Sequence, residues 1–237
     1  MRRVLIPLSL LCLASLAPVA AAQAAPAPVV VELFTSQSCS SCPPADALLA
    51  ELRRTRPELL PLDFHVDYWN RLGWKDPYSS AAATDRQRRY ATALGSDVYT
   101  PQLVVAGASQ VIGSDRDAVL AAIAAAEAAP SSPGVMLGLG LHGAALTIDV
   151  GAGQGQGELV LIGFDDEHTT RVGQGENGGR VLTEVNIVRS LRRLGGWNGA
   201  PLHLRAQPPA GQHAALLLAD PSSGRILAAA LLARTAG

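Results

Sequence analysis

Val29-Val30-Val31-Glu32-Leu33-Phe34-Thr35-Ser36-Gln37-Ser38-Cys39-Ser40-Ser41-Cys42-Pro43-Pro44-Ala45 is the stretch on which the reading of this chain turns. It opens with a β-branched apolar run fit for a buried strand, passes through a polar turn and reaches two cysteines two residues apart. Ala45, Leu48, Leu49 and Leu52 then recur at helical spacing, and Arg53, Arg54 and Arg56 close the last turn, where the helix dipole favours positive charge. A strand leading into Cys-x-x-Cys and then a helix sets the first sulfur at a helix N-terminus. There, unpaired N–H groups and the positive dipole end stabilise a thiolate, the attacking species in disulfide exchange. Cys39, first and more exposed in such a geometry, is the expected nucleophile, and Cys42, one turn inside, the expected resolving residue. Pro43 and Pro44 are tolerated in the first helical turn, where a missing N–H matters least.

Outward from this stretch the elements continue in order. Leu59 to Val66 reads as a second strand, and Tyr68 to Tyr78 as an aromatic, glycine-containing loop. Thr84-Asp85-Arg86-Gln87 has the spacing of a capping box and predicts a helix running to Leu94, with Gly95 as its stop. Leu103 to Ala106 and Gln110 to Ile112 predict a hairpin turning near Gly107, and Ser114 and Asp115 can cap an alanine-rich helix that ends before Pro130. Strand, helix, strand, helix, strand, strand, helix is the order of a minimal thioredoxin fold, with the Cys-x-x-Cys in the required place.

Ser131-Ser132-Pro133-Gly134 marks a hinge. Beyond it Val135 to Leu141, Leu146 to Val150, Glu158 to Phe164, Ala214 to Ala219 and Arg225 to Leu232 are strand-like, while the periodicity of Thr183 to Leu194 fits a strand or a short helix. The expected architecture is an α/β thioredoxin-like domain over residues 26–130, followed by a mostly antiparallel β-sandwich-like domain over residues 131–237.

Arg2 and Arg3, an apolar run from Val4 to Val19 and small residues through Ala25 have the form of a signal peptide over residues 1–25, cleaved near residues 22–25. The expected location is periplasmic or secreted. The apolar run is shorter than the ~20 residues that span a bilayer and no later stretch qualifies, so no transmembrane segment is expected in the mature chain. Cys12 falls inside the removed run, which leaves Cys39 and Cys42 as the cysteines of the mature protein. In an exported chain they can be oxidised and stay so. A bridge between them closes almost no loop and adds little stability by constraining the unfolded chain, which leaves chemistry as the reason for the pair. A formal net charge of -1 and the lack of a long run of one sign argue against nucleic acid or anionic lipid as partner.

Thr100-Pro101 precedes the third strand, where a cis proline would face the cysteines and offer the Thr100 backbone to an extended substrate peptide. Asp63, His65 and Asp67 share one face of the second strand and approach its C-terminal end, although the same alternation fits an edge strand with a polar face. Tyr68, Trp69, Trp74 and Tyr78 form either a binding lip beside the cysteines or a small satellite core. A structural zinc site normally needs four ligands, often with a second cysteine pair, which is absent. Copper(I) needs fewer, and Cys39, Cys42 and His65 are its candidate ligands. Gly173-Gln174-Gly175-Glu176-Asn177-Gly178 matches a dinucleotide fingerprint in letters alone. With no βαβ unit around it, it reads as a flexible turn.

Phe34-Thr35-Ser36-Gln37-Ser38-Cys39-Ser40-Ser41-Cys42-Pro43-Pro44-Ala45-Asp46 resembles the signature of a secreted bacterial family, domain of unknown function 1223. The likeness extends to His65-Val66-Asp67-Tyr68-Trp69, Gly73-Trp74-Lys75-Asp76, Arg86-Gln87 with Tyr90, Tyr99-Thr100-Pro101-Gln102, and Gly175-Glu176-Asn177 with Gly179-Arg180 and Leu182. It implies a thioredoxin-like domain followed by a β-rich one. The functional expectation is an exported thiol–disulfide oxidoreductase or redox partner, with Cys39 and Cys42 catalytic. Thr100, Pro101, Tyr68, Trp69 and Trp74 are its expected substrate contacts. It needs no cofactor beyond its own disulfide, and its partner is an exported protein or a small thiol. The alternatives are a copper(I)-binding or metal-delivery protein using the same cysteines with His65, and a non-catalytic envelope assembly or binding module.

Overall fold

β1 (Val29–Thr35) is buried along all but its first residue, because it lies between β2 (Leu59–His65) and β3 (Gln102–Val105) with a core on each face. β2 runs parallel to it and β3 antiparallel, and β4 (Ser109–Ile112) closes the hairpin that the sequence predicts. Alternation along β1 divides its side chains. Val31 and Leu33 meet Leu48, Leu49 and Leu52 of α1 (Pro43–Thr55) and Val119 and Ile123 of α3 (Arg116–Ala128). Val30 and Phe34 meet Leu62, Phe64 and Tyr90, the last from α2 (Ala81–Leu94). Phe34 and Phe64 are fully buried with ring centroids 5.4 Å apart, and burying each such ring stabilises the fold by about 1.5–3 kcal/mol.

The structure, a computed structural model, describes residues 27–129 and 134–232. The signal peptide read at 1–25 and hinge positions 131–133 lie outside them. Beyond the hinge come β5 (Leu137–His142), β6 (Ala145–Val150), β7 (Gly157–Arg171), β8 (Val181–Trp197), β9 (Leu202–Ala206), β10 (His213–Ala219) and β11 (Ile226–Leu231). β8 resolves the ambiguity at Thr183 to Leu194 in favour of a strand, whereas β9 had no clear apolar pattern to announce it.

These strands form two sheets, and the larger is shared with the first half of the chain. Its order is β11-β10-β7-β8-β2-β1-β3-β4, with a separate sheet of order β5-β6-β9. β8 meets β2 at Asp63↔Ile187, so β2 is an interior strand and not an edge. Leu217 of β10 and Val160 and Ile162 of β7 join the α2-side core, while Leu216 and Leu218 turn the other way onto Ile148, Val150 and Leu204 of the small sheet. One face of the large sheet is therefore covered by α2. The other is covered by α1 and α3 at one end and by the small sheet at the other, the part of the chain that is sandwich-like.

Two local features refine the sequence reading. α2 starts a turn earlier than the capping-box spacing at Thr84 suggests, because Ser80 caps it by accepting the Ala83 N–H at 3.1 Å; Gly95 ends it in the left-handed region, as expected. On the face of β1 toward α2, Glu32 is buried and bound by Arg86, whose Nε and Nη2 donate to its two oxygens at 2.6 and 3.1 Å. Tyr90 Oη also donates to Glu32. Such a fork is a strong charge-assisted contact, and its desolvation makes either partner alone costly.

Candidate functional site

The turn after β1 is built from backbone bonds: Cys39 N–H donates to the Ser36 carbonyl at 3.1 Å and Cys42 N–H to that of Cys39 at 3.2 Å. Cys42 then occupies the N-cap position of α1, with Pro43 and Pro44 following in the first turn. Cys39 and Cys42 are joined as a disulfide, their Cα atoms 5.5 Å apart. Both cysteines are covered, at 1% and 0% exposure, and Ser40 and Ser41 between them face solvent. The greater exposure expected of Cys39 is absent from this oxidised form, because other segments close over it.

The first of those segments is the start of β3. Thr100–Pro101 is a cis peptide, and Thr100 Oγ1 lies 3.3 Å from Cys39 Sγ. Trp69 Nε1 donates to Thr100 Oγ1 at 2.8 Å, so Trp69 holds the residue that faces the sulfur. Trp69 belongs to the short 3-10 turn Tyr68–Leu72, and Tyr68 Oη donates to Gln87 Oε1 at 3.2 Å and also interacts with the Thr100 side chain. Trp74 reaches the site indirectly: its Nε1 donates to Gln37 Oε1 at 3.0 Å. Of the five expected substrate contacts, Thr100 and Pro101 stand at Cys39, Trp69 and Tyr68 both reach Thr100, and Trp74 stands one residue removed.

The second segment comes from the other half of the chain. The β7–β8 connection at 172–180 hydrogen-bonds to the turn through Glu176 N–H to the Ser38 carbonyl at 3.3 Å. Asn177 Nδ2 donates to the carbonyls of Gln37 and Cys39 at 3.1 and 2.8 Å. Glu176 Oε2 accepts from both Ser40 N–H and Ser40 Oγ at 2.9 and 2.7 Å. Gly175 has φ +79°, and a Cβ there would sit 2.8 Å from Ser38 Oγ, so this close approach requires glycine. The glycine-rich run is thus a turn, as its surroundings in the sequence suggest, and it is seated on the cysteines.

Beneath the turn lies a buried ionisable cluster. His65 Nδ1 is 2.7 Å from Asp76 Oδ2, which also accepts the Gln37 N–H at 2.9 Å. His65 Nε2 and both oxygens of Asp63 have no hydrogen-bond partner, and Nε2 stands 3.5 Å from the nearer one. Gln37 Nε2 donates to Glu184 Oε2 at 2.7 Å, and Thr35 Oγ1 to Asp46 Oδ1 at 2.8 Å.

Burial pushes the Asp46 carboxyl well up, helped by the charges of Asp63 and Glu184. Burial likewise raises Asp63, against the pull of His65. Burial raises Glu184 to about 7. Burial alone would lower His65, but Asp76, Glu184 and Asp63 outweigh it and hold the imidazolium well above its usual range. Asp76 is lowered: burial opposes this, and the charge and hydrogen bond of His65 prevail. Burial and the charges of neighbouring members therefore set the ionisation of these groups jointly.

Asp67, grouped with these residues by alternation, instead accepts from Thr84 Oγ1 at 2.6 Å and anchors α2. Among the described residues no group of three or more His, Cys, Asp and Glu side chains is arranged to hold a metal ion. His65 is directed at Asp76 and Asp63. No helix among the described residues is long and apolar enough to cross a membrane.

Gln37, Asp46, Asp76, Glu176, Asn177 and Glu184 were not candidates by chemistry. Gln37, Asp46, Asp76, Glu176 and Asn177 do lie in the quoted family motifs, and that is their signal in the sequence. Glu184 had none, because only the contact of β8 with β2 brings it under the turn.

The family model described as "Protein of unknown function (DUF1223)" matches residues 30–218. An X-ray structure of a protein from Agrobacterium tumefaciens, determined in a structural genomics programme, is 33% identical. It superposes with a TM-score of 0.76 over 90% of this chain and 98% of that one. HBP35 of Porphyromonas gingivalis is similar in fold alone, at 13% identity and a TM-score of 0.61 over 87% of this chain and 74% of its own. No curated protein matches the sequence.

Proposed function

This chain belongs to the DUF1223 family, and from that premise we propose that it is an exported thiol–disulfide oxidoreductase built on a thioredoxin-like unit. The unit is the segment up to residue 130, and the β-rich segment from 131 supplies the loop that covers its cysteines. The observation that carries the reading is the Cys39–Cys42 disulfide at the start of α1, facing the cis Thr100–Pro101 peptide.

In the oxidising direction a substrate thiolate attacks Cys39 Sγ. A substrate–Cys39 bond forms, the Cys39–Cys42 bond breaks, and its electron pair leaves on Cys42 as thiolate. Asp46 lies one turn along α1 with its carboxyl raised well above the usual range by burial, and we assign it as the group that gives that thiolate a proton. A second substrate thiolate then attacks the substrate sulfur of the mixed disulfide. The substrate leaves oxidised by two electrons, and the departing pair rests on Cys39 at the helix N-terminus. The same steps reversed reduce a substrate disulfide, with Cys39 attacking and Cys42 resolving. Thr100, steadied by Trp69, offers backbone to an extended substrate chain.

The test is trapping in the exported compartment. Cys42→Ser is expected to accumulate mixed disulfides through Cys39 that a reductant releases, and Cys39→Ser/Cys42→Ser none. Capture of nothing by Cys42→Ser, or reactivity toward a small disulfide that survives Cys39→Ser, overturns the assignment.

A further inference from the structure

The turn that carries Cys39 is closed by a charge from the far half of the chain. Three contacts already fix the β7–β8 connection to that turn without any charge: the Glu176 N–H, the Asn177 carboxamide and the close approach of Gly175 to Ser38. The Glu176 side chain adds a carboxylate on the solvent side, bound to the N–H and hydroxyl of the residue that adjoins the nucleophile. A neutral acceptor would satisfy both donors equally. What the carboxylate supplies beyond them is a negative charge held on the residue next to Cys39.

We propose that Glu176 sets the redox poise of the Cys39–Cys42 pair, its fixed negative charge disfavouring the Cys39 thiolate and so holding the pair toward the disulfide. The inference rests on the oxidoreductase reading and deepens it. Only the reduced pair carries a charge on Cys39, so a like charge fixed nearby raises the free energy of the reduced form and leaves the disulfide untouched.

The other ionisable groups around the turn do not occupy this position. Asp46 on α1, Asp63 and His65 on β2, Asp76 in the loop before α2, and Glu184 on β8 lie beneath it, in contact with Thr35, Gln37, Tyr78 or one another. Arg180, in the same loop, is bound to Asn177 Oδ1 at 2.8 Å, and Arg71, on the 3-10 turn, is the cation whose charge acts on the Glu176 carboxyl. It partly offsets the carboxylate charge, which keeps the expected effect moderate. Glu176 is a positioning residue in this scheme, acting on Cys39 through the turn and not on the substrate.

Glu176→Gln separates charge from bonding, because its amide oxygen still accepts from Ser40, while Glu176→Asp keeps the charge. Mature full-length protein is equilibrated with glutathione at neutral pH and its thiols counted by alkylation, and the acidity of Cys39 is read from the pH dependence of alkylation rate. In Glu176→Gln the equilibrium is expected to move toward the dithiol by about threefold to tenfold, which is ~15–30 mV for a two-electron couple. The Cys39 thiol is expected to become more acidic by about 0.5–1 pH unit, with the melting midpoint of the oxidised protein unchanged. Glu176→Asp is expected to stay with the parent. Equal equilibrium constants for parent and Glu176→Gln, or an equal shift in Glu176→Gln and Glu176→Asp, overturn the assignment to Glu176 alone. Failure of the parent itself to exchange with glutathione overturns the oxidoreductase reading, and this inference with it.

Discussion

Glu184 is fully buried, with one oxygen held by Gln37 and the other without a partner. Burial lifts its carboxyl from an ordinary 4.5 to about 7. A group whose folded-state value is raised contributes stability that is fully present below the unfolded value and lost as pH climbs through the folded one. A rise of this size corresponds to ~3 kcal/mol, present near pH 4.5 and gone by about pH 8. Asp46, Asp63 and His65 are raised as well and act in the same sense, whereas the lowered Asp76 acts oppositely, below the usual carboxylate range. The oxidised protein should therefore melt higher near pH 5 than near pH 8.

Glu184→Gln removes one ionisable group from this balance while keeping an oxygen for Gln37. Relative to the parent it should gain up to ~3 kcal/mol between pH 5 and pH 8. For a chain of this size that is a relative rise of roughly 5–10 °C in Tm at most. Circular dichroism melts of both proteins at the two pH values, without reductant, give the comparison. A difference between variant and parent that is the same at both pH values would refute the assignment of a buried, titrating carboxyl at this position.

Three further outcomes follow from the packing. Asn177→Ala withdraws the buried donor to the Gln37 and Cys39 carbonyls and should cost ~1–3 kcal/mol in urea unfolding. It should also speed dithiothreitol reduction of the disulfide, by loosening the loop above it. Arg86→Met should cost ~3–5 kcal/mol by leaving Glu32 charged and buried without its cation. Arg86→Met/Glu32→Leu should recover most of that loss, and a double variant no better than the single one would contradict the account. Asp115→Ala removes the α3 cap, whose carboxylate accepts the Ala118 N–H at 3.1 Å. It should cost ~1 kcal/mol with thiol reactivity unchanged.

The elements legible in the sequence were those whose signals are local. Val29 to Phe34 reads as a buried strand because β-branched residues fill both of its faces, and β3, β4 and α3 were announced by Gly107 and Asp115. Cys39, Cys42, Thr100 and Pro101 were legible together because strand order places the start of β3 opposite the helix. Long-range pairing was not legible. No pattern in Asp63-Phe64-His65 distinguishes a polar face turned to water from one sealed by another strand, since alternation is the same in both. The contact of β8 with β2 decides it, and that contact lies more than a hundred residues away in sequence. Ser80 was missed as the α2 cap because Thr84 offered an equally good spacing one turn later.

That same contact explains why the second half of the chain belongs to the chemistry. Desolvation is what raises the buried carboxyls beneath the turn, Asp63 at the end of β2 and Asp46 on α1, above their ordinary values. β8 lies across Asp63 and contributes Glu184, so a single strand both excludes water and adds to Asp76 a second carboxyl whose charge raises His65. The connection that leads into β8 then arrives over the cysteines as a matter of chain continuity, bringing Glu176 and Asn177 to Ser40 and Cys39. The buried ionisable groups beneath the disulfide and the charge above it are consequently not independent. Loosening β8 from β2 would hydrate the cluster and lift the loop together, so acidity of the buried groups and reactivity of the cysteines should change in concert in any variant that weakens that contact.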